Sequence, residues 1–227
     1  MATVPAAIDR APRPASRRIG GKHAIFTVFT LMLLYVVWHN ERFLINGADP
    51  VWNHYEPFKW WLLPHGLAAA CALLLGPFQF SDRLRQRYTK LHRVMGRFYV
   101  FGALIGGPAG VYIQYFEERM GGPRSFTMAA AVDAILLAGT TLIAFSFILK
   151  GKVQQHRQWM TRSFAVAIVF LEVRVIGGLT GWDKDPRIIE TIVWTCVGMS
   201  VLVGDIVVYW QDLVSSRPKA KAAVSGD

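Results

Sequence analysis

Six long apolar runs separated by basic connections dominate this 227-residue chain. A helix needs roughly 20 mostly apolar residues to cross a bilayer. Runs of about that length occur at 23–40, 60–80, 98–116, 125–149, 163–182 and 189–210. Because lipid offers the backbone no hydrogen-bond partner, only helices and closed barrels can span it. The sequence therefore predicts an all-α fold, a six-helix transmembrane bundle.

The charges between the runs predict its orientation. Eighteen of the 25 Lys and Arg residues lie in the two tails and in the second and fourth connections, and six lie in the other connections. Positive charge collects on the cytoplasmic side of membrane proteins. We therefore expect both termini in the cytoplasm, with a disordered basic tail over 1–22, the transmembrane domain over 23–212 and a second tail over 213–227.

Composition and motifs narrow the classes of function. The formal net charge of +10 would suit nucleic acid, but here the basic residues sit between apolar runs, so we expect a lipid bilayer and no nucleic acid as partner. The chain has no G-x-S-x-G, H-E-x-x-H, P-loop or C-x-x-C motif, which leaves a hydrolase or an ATP-driven pump unsupported and no catalytic residue assigned.

Histidine motifs form the most informative pattern. The second run carries His65 near its start and GPFQF at its end; LHRVMGRFY opens the third run, and QHRQWMTR opens the fifth. His92 and Gly96 are four residues apart and so share one helix face, where the glycine leaves room for a flat macrocycle beside the imidazole. His92 and His156 both follow inward-running helices, so we expect them at the same depth.

This order of motifs resembles the bacterial membrane proteins of the DUF2306 family, of unknown function, over roughly 60–180. It resembles more distantly the cytochrome b561-type proteins, six-helix carriers of haem b with histidines on paired helices. The resemblance implies a bacterial inner membrane, haem b as cofactor and a quinol or other redox partner. Those cytochromes use four histidines on successive helices; the fourth run here has none, so only the pairing of His92 with His156 carries over.

The residues expected to hold the haem follow from that resemblance. His92 and His156 are the expected metal ligands, and His65 is a further candidate, or else an interhelical hydrogen-bond partner. Arginines suit haem propionates because a guanidinium bonds carboxylates in bidentate fashion; those at the same boundary are Arg93, Arg97, Arg157 and Arg162. The alternative is a non-enzymatic membrane assembly, lipid-binding or transport protein, in which these residues contact lipid phosphates.

Charged residues inside the runs form a second candidate group. Asp133 and Arg174 are expected to form a buried ion pair, because isolated charges are costly at membrane depth. Glu172 and Asp205 lie nearby in the predicted bundle. Two interpretations stay open for the group: a proton relay or an anchor for a quinone or anion, and a structural pair that orders helix packing.

Two further features have open interpretations. The aromatic-rich first connection, 41–59, is either an interfacial belt or a lid over a bound molecule. Gly102, Gly106 and Gly110 are spaced as G-x-x-x-G, which predicts a helix association face within the bundle or between protomers of a homo-oligomer.

Overall fold

The computed structural model describes residues 21–214, with side chains over 24–210. The predicted tails therefore lie almost entirely outside the described residues. The described chain is helical and has no strand, which confirms the all-α prediction. Its helices are α1 Gly21–His39, α2 Val51–Tyr55, α3 Lys59–Gln79, α4 Asp82–Arg87, α5 Thr89–Arg119, α6 Arg124–Leu149, α7 Val153–Ala167, α8 Val169–Thr180 and α9 Pro186–Val214.

Five helical stretches within the described residues are long and apolar enough to cross a membrane. They are Val51–Gln79, Thr89–Arg119, Arg124–Leu149, Val153–Thr180 and Pro186–Trp210. The helix at the first predicted span, α1, has a shorter apolar part, Ala24–His39. The chain is thus a membrane protein with several spans, while six crossings and cytoplasmic termini stay predictions.

The fifth span consists of two helices, α7 and α8, which meet at Ile168. Two backbone hydrogen bonds continue across this junction: the Ile168 amide donates to the Phe164 carbonyl at 3.2 Å, and the Glu172 amide donates to the Ile168 carbonyl at 3.1 Å. A span prediction from hydropathy alone does not detect the junction, because the residues on both sides of it are apolar.

Small residues let α3 and α5 approach closely. A Cβ placed on Gly102 would lie 2.5 Å from the Ala68 carbonyl oxygen, and one on Gly106 would lie 3.6 Å from the Ala68 side chain. Backbones that approach this closely gain van der Waals contact, which drives helix association in lipid. The predicted G-x-x-x-G face therefore packs inside the bundle, against α3.

Four of the spans form a ring around a buried centre. In the ring α3 packs on α5, α5 on α6, α6 on α7, and α7 returns to α3; α9 packs on α7 and α8, and α1 on α8. We call the end where α3 and α6 finish and α5 and α7 begin the basic end. We call the other end, with residues 41–58, the loop end.

Candidate functional site

The basic end brings together the two histidines expected from the sequence. His92 lies in the first turn of α5 and His156 in the first turn of α7, on helices that face each other across the ring. Their imidazoles are close enough for their charges to interact, and Arg85 and Arg93 add to the same local field. We call His92, His156, Gln79 and Gly96 the basic-end site.

His156 is oriented by the neighbouring helix. Its Nδ1 lies 2.9 Å from the carbonyl oxygen of Ala144, near the end of α6. A carbonyl can only accept, so Nδ1 carries the proton and Nε2 keeps its lone pair. Histidines that ligate metals use this same arrangement, in which a backbone carbonyl fixes the tautomer.

His92 and Gln79 are incompletely satisfied. The His92 Nδ1 and the Gln79 Nε2 are buried and have no hydrogen-bond partner among the described residues. The Gln79 side chain lies over Gly96, with its Oε1 3.2 Å from where a Cβ of residue 96 would be. Buried polar atoms are nearly always paired in proteins, so two unpaired nitrogens in one place indicate a missing partner.

A network of buried hydroxyls closes the site on its membrane side. Tyr99 Oη and Ser163 Oγ lie 2.8 Å apart, and Ser163 Oγ lies 2.7 Å from Thr141 Oγ1. All three residues are 0% exposed. Tyr99 follows His92, and Ser163 follows His156, by seven residues, which is about two helical turns on one face. That spacing was readable from the sequence, but only the structure shows that the hydroxyls meet.

The arginines at the basic end divide into two groups. The Arg162 Nε donates to Asp205 Oδ1 at 2.6 Å, and its guanidinium stacks 4.9 Å from the centre of the Trp159 ring, so Arg162 is held against α9. Arg93, Arg97 and Arg157 are exposed. Of the four arginines expected to contact propionates, these three are therefore free to reach an anionic group beside the histidines.

His65 lies away from the basic end. Its Nδ1 donates to the Gly106 carbonyl oxygen at 2.9 Å, and its ring packs over Gly110, where a Cβ would come within 3.0 Å of Cε1. The interhelical hydrogen bond expected as one interpretation of this histidine is thus present. His39 stacks on Tyr35 and His54 bonds Glu117, so the structure gives the three histidines of this half different partners.

The structure does not bring Asp133 and Arg174 into a salt bridge among the described residues. Asp133 lies close enough to Glu172 for their charges to interact, and one Asp133 carboxyl oxygen is buried without a described partner. Arg174 instead lies beside the Tyr55 hydroxyl and stacks 5.0 Å from the centre of the Phe170 ring. The first connection, which the sequence could not place, supplies this partner.

Residues 41–58 fold over the loop end. Phe43 packs against Trp52 and Tyr55 with ring centres 5.1 and 5.2 Å apart, and Phe58 is 1% exposed. His54 Nε2 lies 2.8 Å from Glu117 Oε1. Burial raises the pKa of Glu41 above its ordinary value, and the Arg174 charge partly opposes that rise.

The donor set at the basic end fits a ligand held by two imidazoles. No group of three or more His, Cys, Asp or Glu side chains suited to a metal ion occurs in the described part of the chain. A haem needs only two axial ligands in an apolar surround. The imidazoles of His92 and His156 offer two such ligands, and Gly96 leaves room for the Gln79 side chain on the same face of α5.

Comparison with known proteins identifies one family. The model of the family described as "Predicted membrane protein (DUF2306)" matches residues 62–208, which is more than half of the chain. No curated protein and no solved structure matches the chain. The matched region contains the whole basic-end site.

Proposed function

Because the chain belongs to the DUF2306 family of predicted membrane proteins, whose description names no activity, we propose a function from the basic-end site. We propose that the protein is a membrane electron carrier that holds haem b between His92 and His156. Its electrons would come from a quinol or another small reductant and leave to a redox partner. The distant resemblance to cytochrome b561-type proteins supports the same function.

One observation carries this proposal: the buried His92 Nδ1 has no described partner although His156 is close by. Leaving a buried polar group unpaired costs about 1–3 kcal/mol. A ligand bound at this nitrogen would remove that cost, and iron is among the metals that imidazoles ligate.

The neighbouring residues have distinct roles in such a site. His156, oriented by the Ala144 carbonyl, would present Nε2 as a ligand, and Gly96 lets the Gln79 amide lie close to α5 on the face that carries His92. Arg93, Arg97 and Arg157 are exposed and suited to propionate carboxylates. The Tyr99–Ser163–Thr141 hydroxyls exclude water from the membrane side. Haem b supplies one-electron chemistry when bound.

A visible absorption spectrum tests the proposal. We expect protein purified from haem-replete cells to show a Soret band and, after dithionite reduction, a sharp α-band. His92→Ala and His156→Ala should each remove both bands. His39→Ala and His54→Ala are matched controls that should keep them, since neither histidine lies at the basic end. A colourless wild-type protein would overturn the proposal.

A second candidate is a lipid-binding or transport protein without a redox cofactor. The observation that favours it is the exposure of Arg93, Arg97 and Arg157, because exposed arginines at one end of a bundle contact lipid phosphates. In that case the protein is colourless, and replacing these arginines with Gln weakens its binding to vesicles containing phosphatidylglycerol. Arg119→Gln, at the loop end, is the control.

A further inference from the structure

A cavity of about 250 Å³ lies at the loop end, away from the basic-end site. Its walls come from α5, from the turn that follows it, from the start of α6 and from α8; they are Gln114, Glu117, Gly122, Pro123, Phe126 and Arg174. Two of these residues are formally charged with opposite sign, and Phe126 and Pro123 are apolar. The cavity thus combines a cationic wall, an anionic wall and an apolar surface.

The Arg174 side chain is the most informative part of the lining. It lies within the span Val153–Thr180, yet the residue is exposed. A charged side chain at membrane depth faces either the bundle interior or a polar cavity. A guanidinium has five N–H donors, and the Tyr55 hydroxyl and the face of Phe170 cannot occupy all of them. Arg174 therefore keeps N–H donors that are available to a molecule bound in the cavity.

Glu117 has similar spare capacity on the opposite wall. One of its oxygens bonds the His54 ring, and its side chain is 27% exposed. An ionised carboxylate has about four acceptor positions. Glu117 therefore keeps acceptors for a second partner.

We propose that this cavity binds a zwitterionic headgroup, with its phosphate or carboxylate on Arg174 and its primary ammonium on Glu117. A simple anion would be repelled by Glu117 and by Glu41, which also lies within electrostatic reach of Arg174. A simple cation would be repelled by Arg174. Only a ligand with both charges meets both walls, and Phe126 packs against its apolar part.

The ligand chemistry has two sources, an aminophospholipid of the surrounding leaflet or a free zwitterion from solution. The proposal does not depend on haem binding, because none of the cavity residues belongs to the basic-end site. Failure of either proposal would leave the other standing.

Lipid binding by the purified full-length chain tests the inference. Native mass spectrometry would follow titrations with phosphatidylethanolamine, which has phosphate and ammonium, and with phosphatidylglycerol, which has phosphate alone. We expect wild-type protein to prefer phosphatidylethanolamine about tenfold, the size of one charge-assisted hydrogen bond. Glu117→Gln should abolish that preference, whereas Glu118→Gln, whose residue does not line the cavity, should keep it.

Changes at Arg174 separate the two halves of the headgroup. Arg174→Gln should weaken the binding of both lipids about tenfold. If that variant does not fold, Arg174→Lys keeps the charge and should retain the preference at lower affinity. Binding of phosphoethanolamine in solution without binding of either lipid would identify the free zwitterion as the source. Equal binding of both lipids by the wild type, or equal behaviour of Glu117→Gln and Glu118→Gln, would overturn the inference.

Discussion

The polar side chains at the two ends of the bundle have hydrogen-bond partners to different degrees. At the basic end, the His92 Nδ1 and the Gln79 Nε2 are buried without described partners. At the loop end, His54 bonds Glu117 and the Tyr55 hydroxyl lies beside Arg174, so residues 41–58 contact charged side chains of two spans, although Asn40 Oδ1 is also buried there without a described partner. The basic end therefore has two side-chain nitrogens available to a ligand, whereas the charged side chains of the loop end already have partners within the chain and keep spare hydrogen-bonding capacity.

The family match covers the two ends to different extents. Residues 62–208 include every member of the basic-end site. At the loop end they include the ends of the spans but not residues 41–58. His54, which bonds Glu117, precedes the matched region, as do Glu41 and Tyr55, which interact with Arg174. The segment that completes the loop end thus lies outside the part of the chain that defines the family.

The largest effect should come from a larger side chain at residue 96, one turn from His92. Gly96→Leu puts a side chain where Gln79 Oε1 now lies 3.2 Å from the added Cβ. Because Gln79 is flexible, we expect the chain to fold but to lose the haem α-band completely. Gly139→Leu is the matched control, since nothing lies within 4 Å of its added Cβ. An unchanged spectrum in Gly96→Leu would show that no ligand occupies that flank.

Substitutions at different members of the hydroxyl network between the two ends should lower the unfolding free energy by different amounts. Ser163→Ala leaves both Tyr99 and Thr141 without their buried partner, so we expect a loss of unfolding free energy of about 2 kcal/mol or more. Tyr99→Phe leaves the Ser163–Thr141 bond intact and should cost only about 1 kcal/mol. Reversible unfolding in mixed micelles measures both values. The reverse order would contradict a network centred on Ser163.

Weakening the loop end should release residues 41–58 without affecting the basic end. Tyr55→Phe removes the hydroxyl that lies beside Arg174, and His54→Ala removes the 2.8 Å contact with Glu117. The His54–Glu117 pair is largely exposed, so its loss should cost no more than about 1 kcal/mol. We expect faster proteolysis within 41–58 in both variants, with Tyr55→Phe faster, and an unchanged visible spectrum. A spectral change would show that the two ends are coupled.

The smallest effect should be a pH dependence at Glu41. Its pKa in the folded chain is raised above the ordinary 4.5 by burial, so the folded state favours the protonated form. The stability this gives is present below pH 4.5 and is lost as the pH rises through the raised pKa. Protection of residues 41–58 from protease should therefore fall with rising pH. The ratio of cleavage rates between Glu41→Gln and wild type should fall over the same range; a constant ratio would exclude Glu41 as the titrating group.

Much of the fold was predictable because hydropathy and charge act locally. The five long spans within residues 51–210 lie where the apolar runs predicted them. The proximity of His92 to His156 was also accessible, since both open helices that run in the same direction. The junction of α7 and α8 at Ile168 could not be predicted from the sequence, because the residues on both sides of it are apolar.

The partners of the charged residues were less accessible. Arg162 was assigned to haem propionates but bonds Asp205 of α9, and Arg174 was assigned to Asp133 but lies beside the Tyr55 hydroxyl. Both assignments assumed partners from depth alone. Which side chain an arginine reaches depends on how each helix is rotated about its axis, and depth carries no information on rotation.

By itself, the sequence determined that this chain is a helical membrane protein, because apolar length is a property of each segment alone. It also determined that two histidines open parallel helices at the basic end. Only the tertiary structure decided that Gln79 lies over Gly96, that Tyr99 meets Ser163 and Thr141, and that Tyr55 reaches Arg174. Those contacts join residues far apart in the chain, and the rotation and close approach of neighbouring helices set them.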